Sequence, residues 1–157
     1  MTPSKPFAAM LVCGAVLLAG ATAAEALQGV AAAKARMGHM KALGKASKAM
    51  FEQVKSGAPD MAVVKVQAAD IALASREMPS WFPPGSGQEA EPKSHALPVV
   101  WTDHEKFETK AKALAEAAAK LDAVAQAGDT AGVGPAFHEV GAACKGCHDT
   151  FRAKEDD

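Results

Sequence analysis

The chain has 157 residues, enough for one domain with a tail. Its 49% apolar and 22% charged residues are globular in proportion and exclude a disordered or collagen-like chain. Seventeen basic against eighteen acidic residues give a formal charge of −1, which excludes a strongly basic nucleic-acid surface. Tyrosine is absent and aromatics total 5%, which disfavours sheet and favours helix. Three cysteines are too few for a disulfide scaffold.

Residues 1–26 have the layout of a secretory signal peptide: Lys5 in a positive n-region, an apolar run over residues 7–21, then small residues. Cleavage fits after Ala23 and, as the preferred site, after Ala26. The run falls short of the roughly 20 residues that span a bilayer, so no stable membrane insertion is expected afterwards. Cys13 sits inside the run rather than at its end, which argues against a lipid anchor. The expectation is a periplasmic chain, residues 27–157, with a charge still near −1 because Lys5 and Glu25 leave together. Only Cys144 and Cys147 remain in it.

Residues 27–57 lack proline, and Val30, Ala33, Met37, Met40, Leu43, Ala46, Met50, Phe51 and Val54 recur mostly at three- and four-residue steps, as on one helix face. Lys34, Lys41, Lys45, Lys48 and Lys55 fill much of the rest. Gly57, Pro59 and Asp60 close this helix and open the next. Met61, Val64, Ala68, Ile71, Leu73 and Ala74 form the second apolar face, ending near Met78. Residues 79–101 hold five of the nine prolines and two glycines and predict a long irregular connection pinned by Trp81, Phe82, Val99, Val100 and Trp101.

Thr102 and Glu105 have the spacing of a capping box. Phe107, Ala111, Leu114, Ala118, Leu121 and Val124 then predict a bundle seam that Gly128 stops. Asp129 or Thr130 caps a last helix, with Gly132, Gly134 and Pro135 weakening its first turn. Phe137, Val140, Cys144, Cys147 and Phe151 form its apolar face. The prediction is an all-α protein: an antiparallel four-helix bundle with a long Pro-rich connection between helices 2 and 3.

Residues 144–148 read Cys-Lys-Gly-Cys-His, the attachment signature of c-type haem. Two thiols on one helical turn can each add to a porphyrin vinyl group, and the adjacent imidazole of His148 reaches the iron from the same face. A thioredoxin-like site would need a βαβ context that this chain lacks. Zinc would want four ligands. A plain disulfide between Cys144 and Cys147 in a structural bundle is the remaining alternative.

With these residues in view the chain resembles the class II c-type cytochromes, cytochrome c′ and the low-spin cytochromes c556, over about residues 30–153. The likeness rests on Ala35-Arg36-Met37-Gly38-His39-Met40-Lys41, Phe82-Pro83, Gly85, Trp101, Val140-Gly141, the haem motif, and Phe151-Arg152. It implies a bundle with one haem between helices, often paired as a homodimer; an apolar strip on the first two helices would support such a pair. It implies Cys144 and Cys147 as thioether anchors and His148 as proximal ligand. The distal position is Met40, the sixth ligand in c556-like members and a packing residue over open iron in c′-like ones.

The favoured expectation is Met40/His148 ligation, which raises the reduction potential and suits a single-electron carrier exchanging electrons with periplasmic redox proteins, not an enzyme. The alternative is five-coordinate iron binding NO or CO. Met37 is the backup ligand. Arg36 and Arg152 are candidates for the haem propionates. His39 points about 100° away from Met40. His95 and His104 read as solvated and His138 as half-buried. The first-helix lysines would rim the haem edge and steer an acidic partner, an effect that salt screens.

Overall fold

A computed structural model describes residues 14–154, with side chains from residue 24 onward. Lys5 and Cys13 of the expected signal peptide therefore lie outside the described residues. Helix α1 runs over Gly14–Lys55, α2 over Met61–Glu77, the short α3 over Val99–Thr102, α4 over His104–Gln126 and α5 over Thr130–Phe151. A 3-10 turn, Met78–Trp81, ends α2. No helix among the described residues is long and apolar enough to cross a membrane. The four long helices form the expected bundle.

Local chemistry explains most of the boundaries. Gly57 and Gly128 hold φ of 69° and 75°, the left-handed conformation that ends a helix cheaply only at glycine. The Asp60 carboxylate accepts from Ala62 N at 2.8 Å, and Asp129 accepts from Gly132 N at 3.0 Å, so both helices have true caps. Two boundaries depart from the sequence expectation. The first helix runs back without a break past residue 27 to Gly14, because the Ala-rich stretch between contains no proline. The Thr102–Glu105 capping box does not form. Pro98 starts a helical turn upstream, Thr102 ends that turn with its hydroxyl on Pro98 O, and Asp103 takes the N-cap position without a side-chain bond.

The helices alternate in direction. Gln126 at the end of α4 donates to Lys65 O at the start of α2, and Lys120 of α4 pairs with Glu139 of α5. The core is Met50 from α1, Val64 and Ile71 from α2, Phe107, Leu114 and Leu121 from α4, and Val133, Val140 and Phe151 from α5. Small residues between them, Ala46, Ala68, Ala111, Ala118 and Ala136, let the backbones approach. On α4 the seam continues to Ala125 rather than Val124, which keeps the 4-3-4-3-4 step unbroken. Three residues expected in the core are outside it: Met37 (37% exposed), Phe51 (51%) and Leu73 (49%). Each lies beside the buried stripe of its helix, where an apolar residue extends the pattern without being covered.

The connection is pinned as its aromatics suggest. Phe82 meets Phe107 edge-on at 4.8 Å, and Phe107 meets Phe151 at 5.4 Å. Trp101 Nε1 donates to Phe82 O and Pro83 O at 3.0 and 3.1 Å. Leu97 N donates to Phe151 O, and Ala153 N to His95 O, an antiparallel bridge between the connection and the end of α5. Gly85 approaches α1 so closely that a Cβ on Gly29 would collide with its carbonyl oxygen.

Candidate functional site

The Cys-Lys-Gly-Cys-His motif occupies the last turns of α5, whose burial of Val140, Cys147 and Phe151 fixes which side faces inward. Cys147 is buried and Cys144 half-buried, and no disulfide joins them, so the disulfide alternative is not what the structure shows. Residues three apart on a helix are neighbours on one face. Burial pushes both thiol pKa values up, and for Cys147 the nearby Lys110 ammonium partly opposes this. His148 keeps an exposed side, yet burial and then the Arg152 charge lower its pKa below the ordinary 6.5, against a smaller pull from Asp149. Its imidazole is neutral near pH 7, the form that binds a metal.

Met40 is half-buried on α1 and packs against the core. Val54 Cγ1 of α1 lies 3.6 Å from where a Cβ on Gly134 of α5 would stand. Met40 lies fourteen residues before Val54, and His148 fourteen residues after Gly134. At 1.5 Å per residue both are about 21 Å along antiparallel helices from that contact, at one level of the bundle. Of the neighbouring long helices, α1 and α5 pack least against each other. Two adjacent thiols, a neutral imidazole and a thioether at one level fit a covalently attached haem between α1 and α5: Cys144 and Cys147 would hold it, with His148 on one face and Met40 toward the other.

Arg36 has a different place from the one its spacing suggested. Its side chain is 3% exposed and is committed to the connection. Nη1 donates to Ser86 Oγ at 2.8 Å and Trp81 O at 3.2 Å; Nη2 donates to Ser86 O at 2.6 Å and Ser94 Oγ at 3.0 Å. The guanidinium also stacks over Phe82, 4.7 Å from the ring centre. Burial lowers its pKa and Glu89 pulls the other way. Arg36 therefore fastens residues 81–94 to α1 one turn from Met40. Arg152 is exposed, its backbone N–H caps α5 on His148 O, and its charge acts on His148.

The histidines divide. His39 stacks on Trp81 at 4.7 Å, facing away from the bundle centre. His95 is exposed as expected. His104 is exposed but pairs with Glu108 and lies over Phe107. His138 is exposed rather than half-buried, because the buried stripe of α5 runs through Ala136 and Val140. Among the described residues no three His, Cys, Asp or Glu cluster as a metal site. Ser86, Ser94 and Gly29 escaped the sequence reading. A serine in a Pro/Gly-rich segment looks like turn material, and only the fold brings it to Arg36.

Fold and site together define a covalent haem protein on a four-helix bundle. A family model described as Cytochrome C′ matches residues 31–152, and the chain belongs to that family. It carries one covalently attached c-type haem. It is 40% identical over 113 residues to a cytochrome c′ of Pararhodospirillum photometricum, covering 72% of this chain and 89% of the relative. It is 36% identical over 121 residues to a cytochrome c-556 of Agrobacterium tumefaciens, covering 76% and 95%. Among solved structures, a nitric oxide complex of a cytochrome c prime variant from Alcaligenes xylosoxidans superposes with TM-score 0.73 at 32% identity, over 81% of this chain and 97% of the other. A cytochrome c′ from Thermochromatium tepidum gives 0.75 at 25%, over 80% and 98%. Another neighbour, 27% identical with TM-score 0.74 over 80% and 97%, is described as a cytochrome c′ with ligand-controlled dimer dissociation.

Proposed function

We propose that this chain is an exported, periplasmic c′-type cytochrome whose iron, held by His148, keeps its Met40 side open to a small gas such as nitric oxide or carbon monoxide. The observation that carries this reading is the likeness, at 32% identity and over most of both chains, to a structure described as a nitric oxide complex. The bound group would supply a one-electron couple and a coordination position. The residues do the rest: Cys144 and Cys147 fix the group covalently, neutral His148 binds from the α5 side, and Met40 shapes the opposite side. Arg36 holds the connection against α1, and Arg152 places positive charge beside the imidazole. Homodimer formation is part of the same reading, supported by the neighbour described as a dissociating dimer and by exposed Leu73 on α2.

A second reading keeps Met40 as sixth ligand in a low-spin electron carrier. Two observations favour it: Met40 and His148 share one level, and one relative is a cytochrome c-556. Met37, 37% exposed, is a poor candidate for either role. Optical spectra of the purified holoprotein, oxidised and reduced, with and without CO, separate the two. Broad high-spin bands that shift with CO support the open site. Sharp low-spin bands, a far-red charge-transfer feature in the oxidised form and no response to CO overturn it. Met40→Ala should leave CO binding present on the first reading. On the second it should create CO binding and lower the potential.

A further inference from the structure

The outward face of α1 carries two parallel stripes. Lys34, Lys41, Lys48 and Lys55 recur every seven residues, close to two full turns, so they share one face with Lys45 beside them. All five are exposed. Met37, Gly44 and Phe51 repeat the same seven-residue step, on the flank of the lysine stripe toward Met40. Met37 and Phe51 are the exposed large apolar residues of this stretch. A Cβ on Gly38 or Gly44 would meet nothing within 4 Å. Glycine inside a helix weakens it relative to alanine, and no neighbour within the molecule requires one here.

Among the described residues none of these lysines is in an ion pair. Ion pairs among the described residues are His104–Glu108, Lys112–Glu116, Lys120–Glu139 and Lys145–Asp149, all on α4 and α5. Glu52 is the one acidic residue between positions 34 and 55. In a chain with seventeen basic and eighteen acidic residues, this is a local concentration of positive charge.

We propose that the outer face of α1 docks an acidic redox protein, with the lysine stripe meeting its acidic surface and Met37 and Phe51 adding apolar contacts along the flank. Open Gly38 and Gly44 let the partner approach the helix backbone. The proposal rests on the haem reading above but not on whether Met40 ligates, since an open-site cytochrome must also be reduced. One electron leaves the reduced partner, which is oxidised by one unit, and arrives at the ferric haem; no bond is made or broken. A second copy of the chain fits the face poorly, because two-fold pairing sets one lysine stripe against its equivalent. A lipid surface fits poorly too, because between Lys34 and Lys55 α1 turns its main apolar face to the core and leaves Met37 and Phe51 as the exposed large apolar side chains.

The test is stopped-flow reduction of the oxidised holoprotein by reduced flavodoxin, an acidic one-electron protein donor, at low and high ionic strength. The wild-type rate should fall as salt rises. Lys41→Glu with Lys48→Glu should lower the low-salt rate by about tenfold and flatten the salt dependence. Phe51→Ala should slow reduction at high salt, where steering is screened. Lys112→Glu with Lys120→Glu on α4 should leave the rate at the wild-type value. Equal slowing by the α1 and α4 pairs overturns the proposal in favour of bulk charge. Unchanged rates in the α1 pair overturn the docking face alone. Binding to phosphatidylglycerol vesicles that the α1 pair abolishes, with unchanged flavodoxin kinetics, overturns it in favour of a lipid surface. Absence of haem absorption in the wild-type protein overturns the haem reading and this proposal with it.

Discussion

The α4–α5 pair and the outer face of α1 solve opposite problems. On α4 and α5 nearly every feature has a partner inside the molecule. Phe107 packs on Phe82 and Phe151, and Lys120 and Lys145 meet Glu139 and Asp149. The motif cysteines ride on that pair, whose rigidity sets where His148 stands. On α1 the inner face joins the core through Ala46 and Met50, while the outer face leaves Met37, Phe51 and five lysines without a partner among the described residues. A tightly partnered region positions a cofactor. An unpartnered one is free to meet another molecule.

Substitutions can sharpen that contrast. The largest effect is expected from Phe107→Ala, which removes the ring at the centre of the aromatic cluster and should cost about 3–5 kcal/mol in urea unfolding. Phe51→Ala on α1 deletes the same side chain from the surface and should stay within about 0.5 kcal/mol. Equal losses would break the comparison. Arg36→Met comes next. It leaves Ser86 O, Ser94 Oγ and Trp81 O without their charged donor, at a cost of about 2–3 kcal/mol. Protease cleavage within residues 81–94 should rise in parallel; cleavage elsewhere first would deny Arg36 its fastening role.

Gly44→Ala should act in the other direction. Its Cβ enters open space, so the isolated protein should gain about 0.5–1 kcal/mol. A loss would mean that Gly44 serves the monomer's own packing.

The smallest effect concerns pH. Burial holds the His148 pKa below 6.5 in the folded chain, so the unfolded chain binds the extra proton more readily. Stability of the haem-free chain should therefore be full above pH 6.5 and decline as pH falls through 6.5 toward the lower folded value. Urea midpoints at successive pH values read this, and His148→Gln should remove the His148 share of the decline.

Much of the molecule was legible before any coordinates. Helical periodicity located the four long helices, because a 3.6-residue repeat is a local property of the chain. Gly57, Gly128, Asp60 and Asp129 marked ends and caps for the same reason. Cys144, Cys147 and His148 could be singled out as the proposed haem anchors because they are neighbours in sequence, so their chemistry needs only one helical turn. The misreadings share a cause. The Thr102–Glu105 cap failed because Pro98 started a turn upstream, and Met37, Phe51 and Leu73 matched the apolar pattern while lying at its edge.

Sequence by itself therefore determined the helical class and the long connection, and it supplied the candidates for covalent attachment, all set by relations within a few residues. Tertiary structure decided what depends on residues far apart in the chain. It brought Val54 of α1 close to Gly134 of α5, and the helix rise from that approach puts Met40 and His148 at about one level. It buried Arg36 against Ser86 and Ser94, fifty and fifty-eight positions away, rather than leaving it at a helix surface. It also separated the one face of α1 that the bundle covers from the one it leaves open. A repeat along one helix cannot choose between those faces, because the choice belongs to the helices packed against it.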